Sequence, residues 1–133
     1  MEDRTFEFEM KVRDYECDSQ GIVNNANYLH YMETTRHEFL ESLGVSFMDL
    51  QDKHLHPVVS RIDIKYLASL TGCDIFVSKL KWTREGIKNV FFQEIYRKRD
   101  NKLCCKAKVE IAIIENGKLT RGDYFDKLLN VGS

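Results

Sequence analysis

The feature that most constrains the fold of this chain is one long apolar stripe with a helical period. One segment with the pattern of a β-strand precedes the stripe, and four such segments follow it. Between residues 28 and 43, apolar side chains recur every three or four residues, which predicts a single long helix. Charged residues such as Glu33 and Arg36 fall outside the stripe, and Gly44 suits the left-handed position just past the helix end. Before the helix, apolar residues alternate with charged ones from residue 6 to residue 12, which predicts a strand with one buried face.

Four further strands are predicted after the only proline, Pro57. They cover residues 58–67, 74–83, 90–99 and 103–114, and turn-forming residues separate them. Neighbouring strands are expected to be antiparallel, because a parallel crossover needs a dozen or more residues. Residues 46–51 and 124–130 are expected to form short helical turns. The order predicts an α+β fold of one domain, residues 1–133, in which a curved antiparallel sheet covers the helix.

Composition excludes several classes of protein. With 20 Lys and Arg against 21 Asp and Glu, the formal charge is -1, so no global field attracts nucleic acid or an anionic membrane. No apolar run approaches the roughly 20 residues of a membrane span, and the charged N-terminus does not resemble a signal peptide. Four irregularly spaced cysteines predict reduced thiols and a cytoplasmic location. His54 and His56 have no further ligand at a recognisable spacing, so no metal site is expected.

The polar connection between the first strand and the helix carries the chemistry. It contains Asp18 and then Gly21, and it leads into a helix start where Asn25 or Asn27 is expected to cap the first turn. A carboxylate beside a helix N-terminus combines a base or nucleophile with unpaired backbone N–H groups. The alternative is that Asp18 and Asn25 only stabilise the turn and the helix end.

The segment from residue 12 to residue 33 resembles the signature of the 4-hydroxybenzoyl-CoA thioesterase family of hotdog-fold proteins, near its acyl-CoA thioesterase branch. The matching positions are Asp18, Gly21, Val23, Asn25, Ala26 and Tyr28. The likeness extends over nearly the whole chain. It implies a hotdog fold, with five or six strands around a long central helix. It also implies hydrolysis of an acyl-CoA or acyl-carrier-protein thioester to a free acid and a thiol.

The resemblance further implies roles for single residues. Asp18 is expected to be the catalytic carboxylate, either as general base on water or as nucleophile through a mixed anhydride. The backbone N–H of Asn25 is expected to polarise the thioester carbonyl, and Gly21, Val23 and Tyr28 are expected to contact the substrate. Coenzyme A is then part of the substrate, and no separate cofactor is expected. The family implies active sites at the interface of a homodimer, alone or as a dimer of dimers.

Two other sets of side chains are candidates for substrate binding. Ser60 is in register with Val58 and Ile62 on the face expected to be buried, where it would line an acyl pocket or bond within the sheet. Arg97 and Arg99 belong to the one concentrated basic stretch, which either holds the phosphates of coenzyme A or protects a sheet edge.

Two functions from other classes remain open. A hydratase or dehydratase on the same fold usually needs an Asp/His pair. Where several relatives carry His, this chain has Asn25, whose amide does not exchange a proton at neutral pH. A non-catalytic acyl-binding domain would retain a ligand without releasing a thiol.

Overall fold

A curled antiparallel sheet covers one long helix in the computed structural model, which describes residues 5–126. The elements in chain order are β1 (Phe6–Lys11), a 3-10 turn (Asp14–Glu16), α1 (Asn25–Ser42), α2 (Phe47–Asp52), β2 (Leu55–Tyr66), β3 (Ile75–Glu85), β4 (Lys88–Arg97), β5 (Lys102–Glu115) and β6 (Lys118–Leu119). The sheet order is β1-β3-β4-β5-β2, with β6 beside β5, and every pairing is antiparallel. The predicted α+β order of strand, helix and four strands is confirmed. The two-residue β6 is the sixth strand that the family resemblance allowed and that the residue pattern did not predict.

Alternate residues of the strands face α1 and form the main core. Phe76 and Leu80 of β3 and Ile95 of β4 are almost wholly enclosed, and Met32 of α1 packs into the same cluster. Burying each apolar side chain of this size contributes roughly 1.5–3 kcal/mol, so the helix is held mainly by this face. No helix within residues 5–126 has both the length and the apolar character needed to cross a membrane.

The ends of α1 are set by one asparagine and one glycine. Asn24 is extended, and its side-chain oxygen accepts a hydrogen bond of 3.0 Å from the N–H of Ala26. The prediction that Asn25 or Asn27 caps the helix was therefore wrong, because the helix begins one residue after Asn24. At the other end Gly44 has a φ of +82°, as predicted for the position past the helix end.

Arg36 does not face water as its place outside the apolar stripe predicted. Only 8% of it is exposed, and its Nη1 donates to Gln93 Oε1 at 2.9 Å. Gln93 Nε2 in turn donates to the carbonyl of Met32 at 2.9 Å, and the hydroxyls of Thr35 and Ser78 lie 2.7 Å apart. We call these four side chains, Arg36, Gln93, Thr35 and Ser78, the polar seam. The helix thus presents a polar stripe as well as an apolar one to the sheet.

The strand β2 differs from its prediction at both ends and in the middle. It begins at Leu55, so Pro57 lies inside it, at the edge of the sheet, where proline is tolerated. Its register with β5 shifts between Val59 and Arg61, which leaves Ser60 as the extra residue of a bulge. Ser60 is exposed, so the expectation that it shares a buried face was wrong.

Two short helical elements were predicted, at residues 46–51 and 124–130. The predicted turn at residues 46–51 is the helix α2, with the Ser46 hydroxyl accepting a bond of 3.1 Å from the N–H of Asp49. Residues 124–126 form a turn. The rest of the short helix expected at 124–130 lies outside the described residues.

The polar seam generates a stability prediction. Replacing Gln93 by Leu keeps the volume but leaves a guanidinium nitrogen without its acceptor and removes the side-chain donor from the Met32 carbonyl, so the free energy of unfolding should fall by about 1–3 kcal/mol. Gln51→Leu on the exposed side of α2 is the matched control and should change it by less than about 0.5 kcal/mol. Urea unfolding of the three proteins gives the comparison, and equal effects of the two substitutions would contradict the role of the seam.

Candidate active site

The connection between β1 and α1 folds back on itself. Cys17 bridges to Val23, the N–H of Asp18 donates to the carbonyl of Ile22 at 2.8 Å, and the N–H of Gly21 donates to the carbonyl of Asp18 at 3.0 Å. Gly21 has a φ of +79°, a left-handed conformation that glycine adopts without strain. Asp18 therefore opens a tight turn directly before the helix.

The carboxylate of Asp18 is held on one side and open on the other. Its Oδ1 accepts hydrogen bonds from the N–H of Gln20 at 2.8 Å and of Ile22 at 3.4 Å. Its Oδ2 has no donor among residues 5–126, and the side chain is exposed. One oxygen thus fixes the orientation while the other can accept a proton or attack an electrophile.

The start of α1 supplies a free donor seven residues after Asp18. The N–H of Ala26 bonds the side chain of Asn24 and the N–H of Asn27 bonds its carbonyl, whereas the N–H of Asn25 has no acceptor within the described range. Ile22 lies opposite Asp18 in the turn and three residues before Asn25, a span of at most about 11 Å. The free N–H lies at the positive end of the helix dipole.

Glu16 ties the turn to the helix. Its carbonyl accepts from the N–H of Asn24 at 3.1 Å and from Asn27 Nδ2 at 2.8 Å, and its carboxylate accepts from the hydroxyl of Tyr31 at 2.8 Å. Burial, together with the bond to Glu16, raises the pKa of Tyr31, so the hydroxyl keeps its proton at neutral pH. The hydrogen bonds that Glu16 accepts therefore help to fix the position of the Asp18 turn relative to the helix start.

A second loop, residues 70–74, braces the turn from the other side. The N–H of Val23 donates to the carbonyl of Leu70 at 2.9 Å, and the N–H of Gly72 donates to the carbonyl of Gly21 at 3.3 Å. Ile22 also bridges to Thr71. The turn that carries Asp18 is thus enclosed between α1 and the segment that leads into β3.

Asp74 holds this bracing loop together. Its Oδ2 accepts from the N–H and the hydroxyl of Thr71 at 2.8 and 2.9 Å, and its Oδ1 accepts from Arg99 Nε at 2.9 Å. Burial by itself would raise the pKa of Asp74, but the bonds from Thr71 and Arg99 outweigh it and lower the pKa below the usual value. Sequence reasoning missed Asp74 and Glu16, because their partners lie in other elements or are backbone groups.

The other residues expected near the substrate divide into core and surface. Val23 and Tyr28 are buried, and the Tyr28 hydroxyl accepts from the N–H of Leu70 at 2.9 Å. Ser60 accepts from Lys88 Nζ at 2.7 Å, on the edge strand. The structure brings Val23 and Tyr28 together with the Asp18 turn and leaves Ser60 on β2. Their substrate contacts stay predictions.

Both arginines of the basic stretch are engaged with carboxylates. Arg97 donates through Nε and Nη2 to Asp100 at 3.0 and 2.7 Å and through Nη1 to the carbonyl of Ser69 at 2.7 Å. Arg99 donates to Asp74, as described above, and its side chain is 56% exposed. A phosphate at this stretch would compete with these partners, and its binding there stays a prediction.

Comparison with known families identifies this arrangement. The family model described as the thioesterase-like superfamily matches residues 12–126, from the end of β1 to the last turn of the described chain. The chain belongs to the thioesterase-like superfamily. The matched range includes the Asp18 turn, both helices and β2 to β6, so the family resemblance read from residues 12–33 is confirmed.

Members of the superfamily that resemble this chain differ in length. The acyl-acyl carrier protein thioesterase ATL3 of Arabidopsis thaliana is 36% identical over 96 residues, which cover 72% of this chain and 50% of that protein. The chain spans about half the length of ATL3 and of its Arabidopsis relative ATL2. The acyl-CoA thioesterase YbgC of Haemophilus influenzae is 28% identical over 121 residues, covering 90% of this chain and 88% of YbgC.

Solved structures agree with the fold. The crystal structure of a hypothetical protein from Aquifex aeolicus superposes with a TM-score of 0.86 at 27% identity, covering 93% of this chain and 98% of that one. The predicted hotdog fold, a central helix within an antiparallel sheet, is confirmed.

The brace at Asp74 predicts a pH-dependent contribution to stability. Asp74→Asn should lower the free energy of unfolding at pH 7 by about 1–3 kcal/mol, because charged hydrogen bonds to Thr71 and Arg99 are lost. The folded pKa lies below the unfolded value of about 3.9, so this contribution is present above that pH and lost as the pH falls through the folded pKa. Urea unfolding at pH 7 and about pH 3 measures it, and a gap between wild type and variant that does not narrow at the lower pH would contradict it.

Proposed function

We propose that this protein hydrolyses acyl thioesters, of coenzyme A or of acyl carrier protein, to a free acid and a thiol. The single observation that carries the proposal is the carboxylate of Asp18, fixed through one oxygen and open at the other, one short turn before the free N–H of Asn25. Membership of the superfamily and the printed functions of ATL3 and YbgC support it. Coenzyme A is part of the substrate in this proposal, and no cofactor takes part.

Two routes use the same carboxylate. As general base, Asp18 takes a proton from water while the water oxygen bonds to the acyl carbon, and the C–S bond then breaks to release a thiolate. As nucleophile, a carboxylate oxygen bonds to the acyl carbon and expels the thiolate, and water hydrolyses the resulting anhydride. A coenzyme A thiolate leaves without needing a strong acid beside it, so the amide of Asn25 in place of a His is compatible with either route.

The helix start would stabilise the oxyanion in both routes. The backbone N–H of Asn25 is aimed away from the helix and has no acceptor within residues 5–126, so it is free to bond an oxygen that gains charge. Loss of one such donor typically slows an enzyme by about a hundred- to a thousandfold. Glu16 and the 70–74 loop support this role, since they fix the turn against the helix start without using its free donor.

Asp18→Asn tests the proposal. The amide keeps an oxygen for the N–H of Gln20, so the turn is retained, but it cannot act as base or nucleophile. Thiol release from acyl-CoA and acyl-carrier-protein thioesters should fall about a hundred- to ten-thousandfold in kcat. Asp14→Asn removes an exposed carboxylate from the same connection and should leave kcat within about twofold.

Other outcomes would replace the proposal. A folded Asp18→Asn protein that releases thiol as fast as wild type would exclude Asp18 as the catalytic group. Hydration of an enoyl-CoA by the wild-type protein, without thiol release, would favour the hydratase. Retention of acyl-CoA with neither reaction would favour an acyl-binding domain.

A homodimer, alone or in pairs, is the assembly that we propose. Within the described residues β2 pairs with β5 on one side and with no strand on the other. Val58 and Val59 on this edge are 46% and 42% exposed, and Tyr66 and Leu67 at its end are also exposed. An unpaired strand of twelve residues that exposes apolar side chains in its first half and at its end favours pairing with a second copy. The free thiols of all four cysteines support a reducing compartment, and we propose the cytoplasm.

Substitution on this edge tests the dimer. Val58→Lys adds a charge to the proposed interface and should shift sedimentation at micromolar concentration from dimer to monomer. Ile87→Lys, at an exposed turn between β3 and β4, is the matched control and should leave the dimer intact. A wild-type protein that sediments as a monomer, or a Val58→Lys dimer as stable as wild type, would contradict this interface.

A further inference from the structure

A cavity of about 90 Å³ lies beside the second half of α1, away from the Asp18 turn. Its wall is mostly apolar and comes from α1, α2, β2, β4 and β5, and Phe91, Ile113 and Phe47 contribute to it. The polar groups that line it include Arg36, Glu33 and His37 of α1. An apolar pocket with few polar groups is typical of a binding site for a small molecule.

Arg36 opens into this cavity with most of its donors unused. Its Nη1 donates to Gln93, whereas Nε and Nη2 have no acceptor among residues 5–126. Every wholly enclosed side-chain nitrogen or oxygen in that range has a partner, so these two nitrogens are not wholly enclosed. Because Arg36 is 8% exposed and lines the cavity, we assign that remaining surface to the cavity.

The guanidinium also lacks a close ion pair within the described residues. No carboxylate of the described residues forms an ion pair with it, and Glu33, one turn before it, is exposed. Burial lowers the pKa of Arg36, and the charge of Glu33 opposes this shift only in part. A buried cation without a partner is costly, and a carboxylate is the anion whose two oxygens match the guanidinium.

We propose that this cavity binds the anion of a short-chain carboxylic acid, with its carboxylate on Nε and Nη2 of Arg36 and its hydrocarbon against Phe91 and Ile113. This volume is several times the roughly 10–15 Å³ that one water molecule needs, so a carboxylate with a short hydrocarbon has room in the cavity. The bond to Gln93 keeps the guanidinium in place when the cavity is empty.

This site is separate from the proposed hydrolytic site within one protomer. Arg36 follows Asn25 by eleven residues of α1, which is about 16 Å along the helix axis. A short acyl group held at the helix start therefore does not reach Arg36 of the same protomer. The inference does not rest on the proposed hydrolysis, and it is tested by binding alone.

Titration of the full chain with propionate, followed by NMR at the Nε–H signal of Arg36, tests the inference. Propionate should shift this signal in a saturable way and leave that of Arg84, which is paired with Asp126, unchanged. Propionamide has the same shape without the charge and should bind at least about tenfold more weakly. An equal response to both compounds, or none to propionate, would overturn the inference.

Two substitutions sharpen the result. Arg36→Met keeps the apolar stem and should weaken propionate binding about ten- to a hundredfold. Glu33→Gln removes the nearest competing negative charge and should strengthen it. If Arg36→Met does not fold, Glu33→Gln decides together with the Nε–H signal of Arg36, because an anion held at Arg36 predicts tighter propionate binding that shifts this signal, with unchanged propionamide binding. Undiminished binding in folded Arg36→Met, or no gain in Glu33→Gln, would overturn the site.

Discussion

The burial of α1 against the concave face of the sheet is the constraint on which the rest of the structure depends. The helix packs on an apolar surface formed by Phe76, Leu80 and Ile95. The polar seam fixes the rotation of the helix through specific hydrogen bonds. Apolar contacts alone would tolerate small rotations, because they have no direction, whereas Arg36, Gln93 and Ser78 must meet their partners. A helix fixed in this way has a fixed N-terminus, and the candidate site is built around that end.

The candidate site combines a rigid frame with two unsatisfied groups. Glu16 and the 70–74 loop form hydrogen bonds with polar groups of the turn and of the helix start, whereas one oxygen of Asp18 and the N–H of Asn25 have no partner among residues 5–126. Groups held in place before a substrate arrives need little reorganisation when charge develops on it. Membership of the thioesterase-like superfamily supports this interpretation of the geometry. Arg36, in the second half of the helix, shows a similar combination. Gln93 fixes its guanidinium through one hydrogen bond, while Nε and Nη2 have no acceptor among residues 5–126.

Predictions from the sequence succeeded where the signal is local. Alternation along β1 and the three- and four-residue spacing of α1 gave the element types, and Gly44 marked the helix end, because these patterns depend on neighbours within a few residues. Asp18 and Asn25 were singled out by the turn before the helix together with the family resemblance, and their catalytic roles stay predictions. Arg36 was placed on the wrong side of the helix, since its partner Gln93 is 57 residues away in the chain. Glu16 and Asp74 gave no signal that distinguished them from ordinary polar turn residues.

By itself the sequence determined the order of strands and helix, the antiparallel connections and the identity of the turn that carries Asp18. Periodicity and turn chemistry act over short range, so they can be read from neighbouring letters. Only the tertiary structure decided that the sheet order is β1-β3-β4-β5-β2, that Ser60 bulges out of the edge strand and that Arg36 is buried beside a cavity. These features depend on contacts between residues far apart in the chain, because the packing of the whole chain must bury the apolar side chains and pair the buried polar groups together.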